Sequence, residues 1–136
     1  GKEWQASLCS SPEYRIPATT TVNRALVIAD GPRAAAQSLR ALSVLRGNGQ
    51  TPQLGVVKMG HGWEANQVRV FTGPGELSVA MTSLLSQPGC ENAVLLVQDF
   101  VPNDLELRAF IVQGVLVHAV YSDFDVEGCS PTEKPD

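Results

Sequence analysis

The sequence is poor in the residues that usually mark a metal site or a disulfide framework. Its 136 residues hold three cysteines, Cys9, Cys90 and Cys129. The count is odd and no two stand in C-x-x-C spacing. Neither a disulfide scaffold nor a zinc site is expected; three reduced thiols of a cytoplasmic protein are. The two histidines, His61 and His118, are far apart and share no ligand pattern. No apolar run approaches the ~18 residues of a membrane span, and no basic-then-apolar leader is visible. The chain opens on Gly1 rather than methionine, which is compatible with a removed leader or upstream domain. Positive charge is also scarce. A net charge of −4 gives no reason to expect nucleic acid or an anionic membrane as partner. A small anionic ligand needs only a local cluster of donors, on which net charge is silent.

What is present is the material of a globular domain. An apolar share of 43% argues against disorder throughout. The length suggests one domain or part of one, able to bury roughly two thirds of its unfolded surface. Residues 1–15 are polar and poorly periodic, and read as a linker. "RIPATTTVNRALVIAD" is rich in β-branched residues and predicts one or two strands. Asp30-Gly31-Pro32 signals a helix start, and Ala35, Leu39, Leu42 and Leu45 recur at helical spacing up to Gly47-Asn48-Gly49. "QLGVVKMG" and "NQVRVF" predict an antiparallel pair. Pro74 and Glu76 open a second helix, with Leu77, Ala80, Met81, Leu84 and Leu85 as its apolar stripe. "LLVQDFVPNDLELRAFIVQGVLVHAV" predicts three further strands, with Pro102-Asn103-Asp104 breaking the first from the second. The order is β-α-β-β-α-β-β-β, with no internal repeat and a frayed acidic tail over 125–136. Hairpin-like pairs mixed with helices predict an α+β fold, a mostly antiparallel sheet with the helices on one face.

Several residues could carry chemistry. Lys58 ends an apolar strand beside a loop with Gly60 and Gly62, a place from which an ammonium group reaches a phosphate while loop N–H groups add donors. The plain alternative is a solvated strand-end lysine. The loop lacks the G-x-x-x-x-G-K spacing. Gln98 and Asp99 end a strand that Pro102 interrupts. Backbone groups left unpaired there can meet the edge of a flat heterocycle, or simply form a turn. Glu106 and Arg108, two apart, share one face of their strand, either solvated or lining a polar cleft. Trp63 reads as a packing or lid residue, His118 as a hydrogen-bonded strand residue. "DFDVEGCSPTEK" begins like a calcium loop at Asp123, Asp125 and Glu127, but Pro131 and Lys134 break the pattern.

Taken together these pieces resemble the nucleotide-binding half of the ATP-grasp superfamily. "RIP" followed by strand and helix is similar to the lead into its lid subdomain. "GVVKMGHGWEANQVRVF" resembles its strand–lysine–loop–strand unit, with "VVKMGH" close to synapsins, and "GELSVAMTSLL" resembles the helix that follows. "LLVQDFVPNDLELRAFIVQGVLVHAV" resembles the hinge strand, the acid-x-Arg strand and the next strand. The resemblance covers about Ile16–Tyr121. It implies a lid-like subdomain over 16–92 and the start of a second subdomain over 93–124, an incomplete ATP-grasp fold.

The resemblance also implies roles. Lys58 contacts the α- and β-phosphates of ATP. Gln98, the carbonyl of Asp99 and the N–H of Val101 meet adenine. Glu106, with Asp104 as second candidate, binds the ribose, and Arg108 faces the phosphates or an acyl-phosphate substrate. Small residues in 60–66 let the loop close over the triphosphate. The implied cofactors are ATP and magnesium. The family's Glu-x-Asn magnesium ligands have no counterpart before Asp136, so they are expected outside this chain. The family's first phosphate lysine precedes the "IP" segment, where Lys2 is a poor candidate. The leading expectation is an ATP-dependent carboxylate–amine ligase working through an acyl phosphate, with a small-molecule or peptide carboxylate as substrate. A further domain or partner chain would complete the cleft. The alternatives are a non-catalytic, synapsin-like ATP-binding or interaction module and a small-molecule kinase of the inositol phosphate type.

Overall fold

The computed structural model describes residues 1–61, 67–90, 92–103, 105–124 and 131–133, with 123–124 and 131–133 described by backbone alone. The chain divides into two units, Gly1–Phe100 and Val101–Asp136. It is an α+β protein. Among the described residues, no helix is long and apolar enough to cross a membrane.

The first unit is built on a four-stranded antiparallel sheet in the order β1-β4-β2-β3: β1 Thr19–Val22, β4 Leu95–Asp99, β2 Leu54–Met59 and β3 Val68–Thr72. The alternation of a strand sorts its side chains. Val57 and Met59 lie opposite Val97 and Leu95, and all four are buried on one face. That face meets the two long helices, α3 Gly31–Leu45 and α4 Gly73–Leu85, with the strand residues and Leu39, Leu42, Leu77, Met81 and Leu84 in one core cluster. Both helices begin as their start signals predict. The Asp30 side chain accepts from the Arg33 N–H at 3.0 Å, and Glu76 reaches back to accept from the Thr72 N–H at 2.7 Å.

Gly55 sits where β2 passes the ring of Phe71. A Cβ there would lie 2.4 Å from Phe71 Cζ and 2.9 Å from the Gln98 carbonyl oxygen, so only glycine fits without movement.

Two stretches differ from their sequence pattern. The β-branched run after Val22 does not extend the strand. Asn23 accepts from the Leu26 N–H at 3.2 Å and caps a short helix, α2 Arg24–Ala29. The cap satisfies an orphan helical donor and outweighs a modest β preference. Residues 1–15, read as a linker, carry α1 Trp4–Leu8, packed beside β1, and a 3-10 turn at Pro12–Tyr14.

The second unit is a three-stranded antiparallel sheet, β5 Leu105–Val112, β6 Val115–Phe124 and β7 Pro131–Glu133, in that order. Gln113 and Gly114 both have positive φ, 50° and 80°, the pattern of a two-residue type I′ hairpin turn. A register shift between Phe110 and Ile111 marks a bulge.

Candidate functional site

On the sheet face away from the two long helices, β1, β4 and β2 place three polar side chains in a row. Lys58 Nζ donates to Gln98 Oε1 at 2.8 Å, Gln98 Nε2 donates to Thr19 Oγ1 at 2.7 Å, and the Thr19 hydroxyl donates to the Pro17 carbonyl at 2.7 Å. The direction of this chain follows from its last member. A carbonyl only accepts, so Thr19 gives its one hydrogen to Pro17 and must receive the Gln98 amide. That turns Gln98 Oε1 toward Lys58. Thr19 and Gln98 are buried, at 1% and 8% exposure, so the arrangement is locked rather than solvated.

Lys58 itself is half-buried. The strands on either side set Leu96 and Val68 directly opposite it, and Val56 pairs with Val70 one step along the same face. Leu96 is fully buried, whereas Val68 and Val70 leave an exposed apolar strip beside the ammonium group. Burial pushes the Lys58 pKa below its ordinary value, and the positive charge of Lys2 pushes it further the same way.

Lys2 is the residue that the sequence pattern disfavoured. Its backbone N–H donates to the Gly60 carbonyl, and the Gly60 N–H donates to Val94 O at 2.7 Å, so the start of the chain is tied to the end of β2. A cavity of about 460 Å³ lies there, lined by Gly1, Lys2, Trp4, Gln5, Gly60 and His61. The buried Gln5 Oε1 has no hydrogen-bond partner among the described residues. An occupant able to donate an N–H or O–H would satisfy it. No local signal in the sequence marks Lys2, because its approach to Lys58 depends on how residues 1–15 return across the sheet.

The other candidate residues fall as follows. The Asp99 side chain points to the helix-bearing face and pairs with Arg46 at 3.0 Å, leaving only backbone for a ligand. Val101 is exposed at the start of the second unit. In that unit Glu106 and Arg108 do share a face of β5, joined by a 2.7 Å ion pair. Phe110 and His118, opposite each other, bring their rings to 5.7 Å. Asp104, Trp63 and most of the 60–66 loop lie outside the described residues, as do Asp125–Ser130 of the calcium-like stretch and Cys129. Cys9 and Cys90 are free thiols. Among the described residues, no three of His, Cys, Asp or Glu cluster as a metal site.

Comparison of the chain with protein-family models, with curated proteins and with solved structures finds no match to any of them.

Proposed function

We propose that the first unit binds the phosphates of ATP through Lys58, and that the chain is the ATP-binding portion of an ATP-grasp-type protein. The favoured activity is a carboxylate–amine ligase that works through an acyl phosphate. The observation that carries this reading is Lys58 itself, half-buried at the end of β2 and held by Gln98 at 2.8 Å, with the charge of Lys2 acting on it as well. Such a cation is costly until an anion meets it, and phosphate oxygens are the strongest uncharged-to-ionic upgrade available to its donors. The exposed strip of Val68 and Val70 supplies apolar surface beside it.

Gln98 takes a different part from the adenine contact that the resemblance implies. Its Oε1 is committed to Lys58, so it is a positioning residue for the ammonium group. Within this unit, the Asp99 carbonyl is the backbone group left for adenine. Magnesium would neutralise the phosphates in such a reaction. The described residues offer it no ligand cluster, so no step is derived through it.

The test is calorimetry with ATP and adenosine on the chain and on Lys58→Ala. A charge-assisted contact is worth roughly 1.5–3 kcal/mol, so ATP affinity should fall roughly tenfold to a hundredfold while adenosine is nearly unaffected. Equal losses for both ligands would mean a folding defect. No binding by the full-length protein at millimolar ATP with magnesium would remove the proposal.

A further inference from the structure

We propose that Lys58 Nζ is a covalent acylation site, taking the acyl group of small acyl phosphates faster than an ordinary lysine does. Three features of the site converge on this. Gln98 holds the amine by a 2.8 Å hydrogen bond and is itself clamped by Thr19, so the nucleophile is fixed in place. Leu96 and Val68 flank its stem and take water from it. The positive charge of Lys2 acts on the amine in the same sense as burial. Loss of water and a neighbouring cation both favour the unprotonated amine, the form that attacks a carbonyl. The charge of Lys2, and that of Lys58 until it loses its proton, draws the phosphate dianion of an acyl phosphate toward the nucleophile.

The step balances without a further reactant. The Nζ lone pair attacks the carbonyl carbon, a C–N bond forms and the C–O bond to phosphate breaks. The proton lost from Nζ leaves with the phosphate as hydrogen phosphate. The product suits the site as well as the free lysine does. An amide N–H can still donate to Gln98 Oε1, while the charge that was half-buried beside Lys2 is gone. If the ATP reading above holds, acylation also deletes the cation that meets the phosphates, and so switches nucleotide binding off.

The experiment treats the full chain with acetyl phosphate in the presence of Nα-acetyl-lysine as a reference amine, and reads sites and rates by mass spectrometry. Lys58 is expected to react several-fold faster than the reference. Lys2→Gln, and Gln98→Glu, which keeps an acceptor but sets an anion against the amine and holds it protonated, should each bring Lys58 down toward the reference rate once native circular dichroism is confirmed. Reaction of Lys58 at or below the reference rate overturns the proposal, and so does an enhanced rate that neither variant changes. A second arm compares ATP affinity before and after acetylation. If the unmodified full-length protein binds no ATP, the proposed function falls while the acylation result stands by itself.

Discussion

Placing one methyl group on Gly55 tests the packing that aligns Lys58 with Gln98. In Gly55→Ala the new Cβ would meet Phe71 Cζ at 2.4 Å, Phe71 Cε1 at 2.8 Å and the Gln98 carbonyl oxygen at 2.9 Å. Neither neighbour can yield cheaply. Phe71 is fully buried in the core cluster, and Gln98 belongs to β4, paired along its length with β2. Overpacking of this kind typically costs about 1–3 kcal/mol, and two rigid opponents place it toward the upper end. For a unit of this size each kcal/mol moves the melting temperature by about 4–8 °C. Thermal circular dichroism would show the shift, and hydrogen exchange of the β2 and β4 amides would assign it to the first unit. A second substitution sharpens the argument. Phe71→Leu removes the ring atoms nearest the new methyl, so the double variant should be less destabilised than the sum of the singles by roughly 0.5–3 kcal/mol. Strict additivity, or an unchanged melting temperature for Gly55→Ala alone, would refute the packing described for this strand.

Two further outcomes are expected. Burial, then Lys2, hold Lys58 below the ordinary 10.5 of a free lysine, so between its folded pKa and 10.5 the unfolded chain binds a proton that the folded chain does not. Stability should therefore rise with pH through that window, and Lys58→Met should flatten the rise. Denaturant midpoints of both proteins from pH 7 upward measure the difference, and parallel curves would argue against the burial of this amine. Asp30→Ala removes the acceptor of the Arg33 N–H at the start of α3 and should cost about 0.5–2 kcal/mol in chemical denaturation, whereas Asp30→Asn, which keeps the acceptor, should cost much less.

How much of this was legible in the sequence depends on whether one element or several decide it. Helices α3 and α4 were readable because apolar spacing and start signals are local. Ala35, Leu39, Leu42, Leu77, Met81 and Leu84 lie buried on the faces that the pattern marks, whereas Leu45 at the end of the first stripe is exposed. Strands β2 and β5 were readable for the same reason, and so was the shared face of Glu106 and Arg108, since period-two alternation needs no knowledge of partners. The stretch after Val22 was misread as strand because β propensity is weak, and a single Asn23 cap outweighs it.

The row of Thr19, Gln98 and Lys58 could not have been read this way. Its members are 79 and 40 residues apart, and they meet only because the sheet inserts β4 between β1 and β2. The turning of Asp99 to Arg46 on the opposite face has the same origin, while Lys2 is brought to the end of β2 by the hydrogen bond of its N–H to the Gly60 carbonyl. Sequence alone determined which side of each strand or helix is apolar, because that follows from the geometry of one element. Which side chains became neighbours was decided by strand order and register, which local pattern does not encode and which only the packed sheet expresses.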